Sequence, residues 1–242
     1  MKYLLLFLML SSSFSCFHSS DAKDETASDD KPEVIVKRRD DGTISSVNQV
    51  VDGKIVHGIR TTYYKDGKTI YSKQTFNYGV KEGPANWYYE NGQVFKKTNF
   101  EEGKRQGLTR VYYKNGDLLA EFLSEKGNVL PGLKEYKLDG TPITLYPDVK
   151  FRKIDHLASR NRVDLEISCT KRRSGVKFYV VSEENEISER VYLITENDQA
   201  LLQFYVKPGE VLDKKVEILA EIPTELGNIL AKQYTYQLKI EK

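Results

Sequence analysis

Glycine recurs along this chain at a steady interval, and that beat limits what it can fold into. Gly42, Gly67, Gly92, Gly116 and Gly140 form one series, Gly53, Gly79, Gly103 and Gly127 a second, and Gly58, Gly83, Gly107 and Gly132 a third. Within each series the step is 24 to 26 residues, and Tyr63, Tyr88, Tyr112 and Tyr136 keep the same interval. A period of this size is the mark of a repeat architecture, in which each unit is one supersecondary element that cannot bury its apolar face alone.

The content of the unit points to a hairpin. Each first-series glycine follows Asp or Asn, as in Asp66-Gly67 and Asn91-Gly92. Such dipeptides favour type I′ turns, which need positive φ at both central residues. Strand-forming runs flank them: Thr61-Thr62-Tyr63-Tyr64 before one turn, Trp87-Tyr88-Tyr89 before the next, Val111-Tyr112-Tyr113 before a third. The second-series glycine turns the chain into the following hairpin. The third-series glycine is expected to open the following strand and to mark either a bend or a place where an aromatic ring lies on bare backbone. Since one hairpin is marginal alone, neighbours must pair. The predicted fold class is all-β: an elongated antiparallel sheet of hairpin repeats over residues 34–146, then an immunoglobulin-like β-sandwich over 147–242. Successive side chains alternate between faces, so both faces of the sheet carry tyrosines. Rings at Tyr63, Trp87, Tyr88 and Tyr112 are the candidate binding residues; the same rings could equally stack on one another for stability.

The run from Tyr63 to Glu121, with its aromatic pair, Asn/Asp-Gly and two later glycines, resembles the MORN-repeat-variant family, whose bacterial members are antitoxin-like. The resemblance covers about 41–141. It implies an elongated, non-enzymatic binding sheet. Where MORN units carry Gly-x-Gly, this chain has Gly58-Ile59-Arg60, Gly83-Pro84-Ala85 and Gly107-Leu108-Thr109.

The sequence begins as a targeting segment: Lys2, an apolar run from Tyr3 to Leu10, then small residues up to Cys16. Residues 1–15 read as a signal peptide and Ser13-Phe14-Ser15-Cys16 as a relaxed lipobox, with Cys16 the lipidation site. A secreted product is the alternative. Residues 16–33, rich in Asp and Glu, read as a disordered acidic tether. The expected location is the bacterial cell envelope, with a lipid anchor in the membrane. No second apolar run is long enough to span one.

Lys and Arg total 37 against 35 Asp and Glu, which offers no long-range attraction for nucleic acid. Lysines 54, 68, 81, 104 and 114 lie beside turns, and Lys37-Arg38-Arg39 follows the first strand; all read as solvated edge charges. Cys169 ends an alternating segment and reads as buried filler. His18, His57 and His156 have no metal-ligand spacing, and Asp155-His156 with Cys169 makes no nucleophilic set. No catalytic residue, metal site or cofactor is called. Seven strands are expected after Asp148, among them Arg190–Thr195.

The function expected is that of a protein-binding or scaffolding lipoprotein. The alternatives are an immunity or antitoxin protein that neutralises a toxin, and a glycan- or membrane-surface-binding protein.

Overall fold

The computed structural model describes residues 33–181, 190–207 and 209–240. The signal segment, Cys16 and the tether as far as residue 32 lie outside the described residues. What is described is nearly all β.

The repeats form one eleven-stranded antiparallel sheet in chain order. Its strands are β1 (Glu33–Arg38), β2 (Ile44–Val51), β3 (Ile55–Tyr63), β4 (Ile70–Asn77), β5 (Val80–Tyr88), β6 (Val94–Glu101), β7 (Lys104–Tyr112), β8 (Leu118–Glu125), β9 (Asn128–Val129), β10 (Lys134–Tyr136) and β11 (Pro142–Ile143). Gly132, at φ +112°, lies between β9 and β10, and both of these short strands pair with β8.

The turn types are the reverse of those expected. At the first glycine series only the glycine has positive φ. Tyr89 N–H donates to Gln93 O (2.8 Å) and Gly92 N–H to Tyr89 O (2.9 Å), closing a three-residue loop with glycine in the left-handed position. The physical reason lies in the Asp or Asn side chain. Its Oδ1 accepts the backbone N–H two residues on, as Asn91 does from Gln93 (3.1 Å) and Asp41 from Thr43 (2.9 Å). That side-chain turn holds the residue at negative φ. The type I′ turns fall at the second series instead. There Asp52, Tyr78, Glu102 and Lys126 share positive φ with the glycine that follows.

Three of the third-series glycines mark bends, one of the two expected roles, but they neither open strands nor lie under rings. Gly58, Gly83 and Gly107 sit inside strands, at φ +93°, +86° and +77°, beside a shift in pairing register. Between Gln74↔Ala85 and Phe76↔Lys81, one residue of β4 faces three of β5. A Cβ added at Gly58 would meet Gln49, not a ring, and at Gly107 nothing within 4 Å. The kink turns the preceding residue toward the next type I′ turn. His57 Nδ1, Glu82 Oε2 and Gln106 Oε1 accept the N–H of Tyr78, Glu102 and Lys126 at 3.4, 2.9 and 2.9 Å. Alongside, Gly79, Gly103 and Gly127 donate to the carbonyls of Val56, Lys81 and Arg105 at 2.8, 2.9 and 2.9 Å.

A matching bond ties the other end of each hairpin. The phenols of Tyr64, Tyr89 and Tyr113 donate to the carbonyls of Tyr88, Tyr112 and Tyr136 at 2.6, 2.7 and 2.8 Å. In the first unit Arg39 takes the tyrosine's place, and its guanidinium donates to Tyr63 O at 2.7 Å. Arg39 is therefore a half-buried structural group, not the solvated edge charge expected, because its long side chain reaches the next hairpin.

Past Tyr146 lie two four-stranded sheets. One holds β12 (Val149–His156), β13 (Arg162–Cys169), β16 (Thr195–Glu196) and β17 (Gln199–Tyr205), in the order β12-β13-β17-β16. The other holds β14 (Lys177–Val181), β15 (Arg190–Leu193), β18 (Leu212–Pro223) and β19 (Ile229–Ile240), in the order β15-β14-β18-β19. A single helical turn, α1 (Leu157–Arg160), joins β12 to β13. The run expected as one strand, Arg190–Thr195, is two: it leaves one sheet at Leu193, passes exposed Ile194, and enters the other at Thr195. Cys169 is free and buried, as its alternating segment implies.

Val111, Ala120, Phe122, Val129 and Leu133 of the repeat sheet share one apolar cluster with Leu165, Ile167, Phe178, Ile218 and Leu238 of the two small sheets. Polar bonds close the seam. Glu135 Oε1 accepts from Thr224 Oγ1 and Asn228 Nδ2, both at 2.7 Å, in the β18–β19 turn. One Arg190 Nη donates to Asn128 Oδ1 and Glu221 Oε1, both at 2.7 Å, while the guanidinium lies 4.2 Å from the Tyr179 ring. Burial, with the Glu135 carboxylate beside it, pushes the Tyr146 phenol up to about 12.

The phenol bonds are testable. Removing one donor leaves a half-buried carbonyl unpaired, at a cost of about 1 kcal/mol. Tyr64→Phe, Tyr89→Phe and Tyr113→Phe should each lower the denaturant midpoint by a similar amount. Tyr78→Phe, whose ring is 56% exposed, should leave it unchanged. Urea titration followed by circular dichroism would show this, and equal midpoints for all four variants would refute it.

Candidate functional site

The pairing register sorts the sheet into two unlike faces. One unbroken row of directly opposed residues runs Lys37, Ser46, Thr62, Ser72, Trp87, Lys96, Val111, Ala120, Glu135 and Ile143. Beside it on the same face lie Asn48, Arg60, Gln74, Ala85 and Thr98. Many of these are small and buried, and hydroxyls bond across strands: Thr62 with Ser72 and Thr98 with Thr109, both at 2.6 Å. The row behind it, on the opposite face, reads Val36, Val47, Thr61, Lys73, Asn86, Lys97, Arg110, Glu121 and Lys134. Lys73, Lys97, Arg110 and Lys134 are exposed, and Arg110 and Lys134 both pair with Glu121. That face is solvated by charge.

The Trp87 face has two clefts. The larger, about 410 Å³, is lined by Trp87, Lys96, Thr98, Phe100, Lys104 and Arg105 with Gly103 and Gly127. Lys96 Nζ sits 4.3 Å over the Trp87 ring and Lys81 Nζ 5.0 Å over that of Phe100. Burial, then the charges of Arg105 and Lys81, hold the Lys96 ammonium below the ordinary lysine range. A second cleft, about 250 Å³, holds Ile35, Lys37, Asn48, Val50, Lys54, Val56 and Arg60 with Gly53. The two correspond unit for unit: Asn48, Val50, Gly53 and Val56 stand where Thr98, Phe100, Gly103 and Arg105 stand two repeats later. Both combine apolar walls with cations.

The four rings singled out from the sequence are all half-buried. Three serve the scaffold through their backbone: the carbonyls of Tyr63, Tyr88 and Tyr112 receive the bonds from Arg39, Tyr64 and Tyr89. Only Trp87 of the four lines a cleft. The cations around it were read as edge charges or passed over. Lys81 does sit beside a type I′ turn, but it pairs with Phe76, and Arg105 with Phe100, which puts both on the Trp87 face. Lys96 had a legible signal, since counting outward from Asn91-Gly92 sets it opposite Trp87.

His156 and Cys169 lie at opposite ends of the β12–β13 pair, where Val149 faces Cys169 and His156 faces Arg162. Seven strand positions separate them, roughly 23 Å at 3.3 Å per residue. His156 Nε2 is 3.6 Å from Asp164 Oδ2, and Asp164 also accepts from Arg162 at 2.9 Å. Among the described residues no group of three or more His, Cys, Asp or Glu could hold a metal ion, and no helix is long and apolar enough to cross a membrane.

Residues 81–102 match the MORN repeat variant. The match spans β5, its turn and β6, the hairpin that carries Trp87, Lys81 and Lys96. The same bonds recur in the flanking hairpins, so the matched unit is one of a series of like repeats. No curated protein and no solved structure matches the chain.

Trp87 is the single tryptophan, so it reports on this cleft alone. Lys96→Met should shift its emission, because a cation leaves the ring face. The unfolding midpoint should stay level or rise, because a partly buried charge beside Arg105 and Lys81 is gone. Unchanged emission with a lowered midpoint would contradict this account of the cleft.

Proposed function

We infer that the chain is a non-enzymatic, protein-binding repeat module that presents the Trp87 face of its sheet from a fixed base. One observation carries this reading. The Trp87 face is covered by the chain's own small sheets only at its C-terminal end, from Val111 onward. The rest of the same row runs past two open clefts with apolar walls and cationic rims. Aromatic and arginine groups set in a cleft suit a protein partner. The shared core and the Glu135 and Arg190 bonds support a base that does not swivel. We read that base, from its strand order β12-β13-β17-β16 against β15-β14-β18-β19, as an immunoglobulin-like sandwich.

Photo-crosslinking amino acids placed at Arg60 or Lys96 in living cells should give discrete protein adducts. The same group at Lys73 or Lys97, on the opposite face, should give none. Adducts only from the opposite face, or from neither, would overturn the assignment.

We further infer that the module works at a membrane surface through a lipid on Cys16, on the strength of the N-terminal sequence. Cys16→Ala should move the protein from the membrane fraction to the soluble one after cell lysis. Retention in the membrane fraction would remove the anchor from the proposal.

A further inference from the structure

We propose that the two clefts of the Trp87 face together take one extended, acidic segment of a partner polypeptide, with carboxylates at the cations and small apolar residues between them. The proposal rests on the protein-binding reading above and gives the partner's chemistry.

The first ground is uncompensated charge. Lys96 and Arg105 line one cleft, Lys81 lies over its Phe100 wall, and the charges of Arg105 and Lys81 repel that of Lys96; among the described residues no carboxylate lies within ion-pair distance of the three. On the opposite face Arg110 and Lys134 share Glu121 as a counter-ion. A half-buried cation without a counter-ion is a standing cost that an incoming anion relieves.

The second ground is spacing. The cleft cations lie on β5, β6 and β7, so their attachment points spread over about 10 Å at 4.8 Å per strand. The companion cleft, with Lys54 and Arg60, lies four strands away, at roughly 19 Å. An extended polypeptide of about six residues spans that gap at 3.3 Å per residue, with alternate side chains facing the sheet. The third ground is the occupied ring. Lys96 covers a face of Trp87, which leaves that face closed to a stacking sugar. The walls of Phe100, Val50 and Val56 supply apolar contact between charges.

Titrating the full chain with a decapeptide of alternating Glu and Ala should change Trp87 emission saturably, with affinity falling as salt rises. The Gln/Ala decapeptide should do nothing. A four-residue Glu/Ala peptide, too short to span both clefts, should bind at least about tenfold more weakly, the change that about 1.4 kcal/mol makes. Lys54→Gln with Arg60→Gln, remote from the fluorophore, should weaken the decapeptide by a similar factor at an unchanged unfolding midpoint. No saturable change with the decapeptide, or equal affinity for the short peptide, would overturn the proposal. So would inorganic phosphate or phosphatidylglycerol vesicles producing the same change at lower concentration. Crosslinks from the Trp87 face to a partner lacking any acidic segment would sink this proposal and leave the protein-binding reading standing.

Discussion

Two sets of hydrogen bonds, one at each end of the hairpin, set how each unit meets the next. At one end a tyrosine phenol reaches the carbonyl one repeat on. At the other a type I′ glycine donates back to a carbonyl one repeat earlier, beside a side-chain acceptor from His57, Glu82 or Gln106. Strand pairing alone leaves register open to slip on a surface as polar as this one. A bond at each end, from groups that occur once per unit, does not. The mid-strand glycine belongs to the same device, since its positive φ kinks the strand and aims the residue before it at the next turn. The three glycines of a unit thus do three separate jobs: closing a three-residue loop (four residues at Asp66-Gly67), closing a two-residue loop, and making a kink.

This division explains which parts of the fold were legible. Positive φ leaves a trace in sequence because glycine tolerates it, so the beat revealed the hairpins. Turn type left a misleading trace. Asp-Gly and Asn-Gly favour type I′ in isolation, but here the carboxamide or carboxylate bonds forward and selects the three-residue loop. The true type I′ turns hold Tyr78, Glu102 and Lys126 in the left-handed region, against their own preference, because a neighbouring unit bonds their N–H. Nothing local announces that. The register survived the error all the same. The extra loop residue is offset by a bulge between Trp87 and Tyr88, so Trp87 faces Lys96 under either turn.

The candidate site was half legible for a related reason. An aromatic pair per repeat is conspicuous, and it invites the reading of a docking ladder. The phenols that form bonds belong to the second tyrosine of each pair, and the acceptors are backbone atoms, which every residue has. Sequence therefore pointed to Tyr63, Tyr88 and Tyr112, whose contribution to the ladder is the carbonyl. Trp87 does line a cleft, but its setting depends on Lys81, Lys96 and Arg105, which come from three strands and twenty-five residues of chain. Their convergence follows only once the register is known.

The unlike faces bear on why such a sheet is fixed to a second body at all. A single-layer sheet that buries little apolar area would twist and flex freely along its length. Here its last strands join a core with Leu165, Phe178 and Ile218, and Glu135 is fully occupied by the turn at Thr224 and Asn228. The anchored end fixes the strands where the small sheets cover the Trp87 face, and the end-to-end bonds tie each further unit to its neighbour as far as the clefts at Arg105 and Arg60. Cations held at fixed separation on a stiff surface lose little entropy when a partner arrives. The same charges on a floppy loop would bind many anions weakly. In the proposed complex with an acidic segment, the repeat's internal bonds are what would give a surface of modest affinity per contact its selectivity for length and spacing.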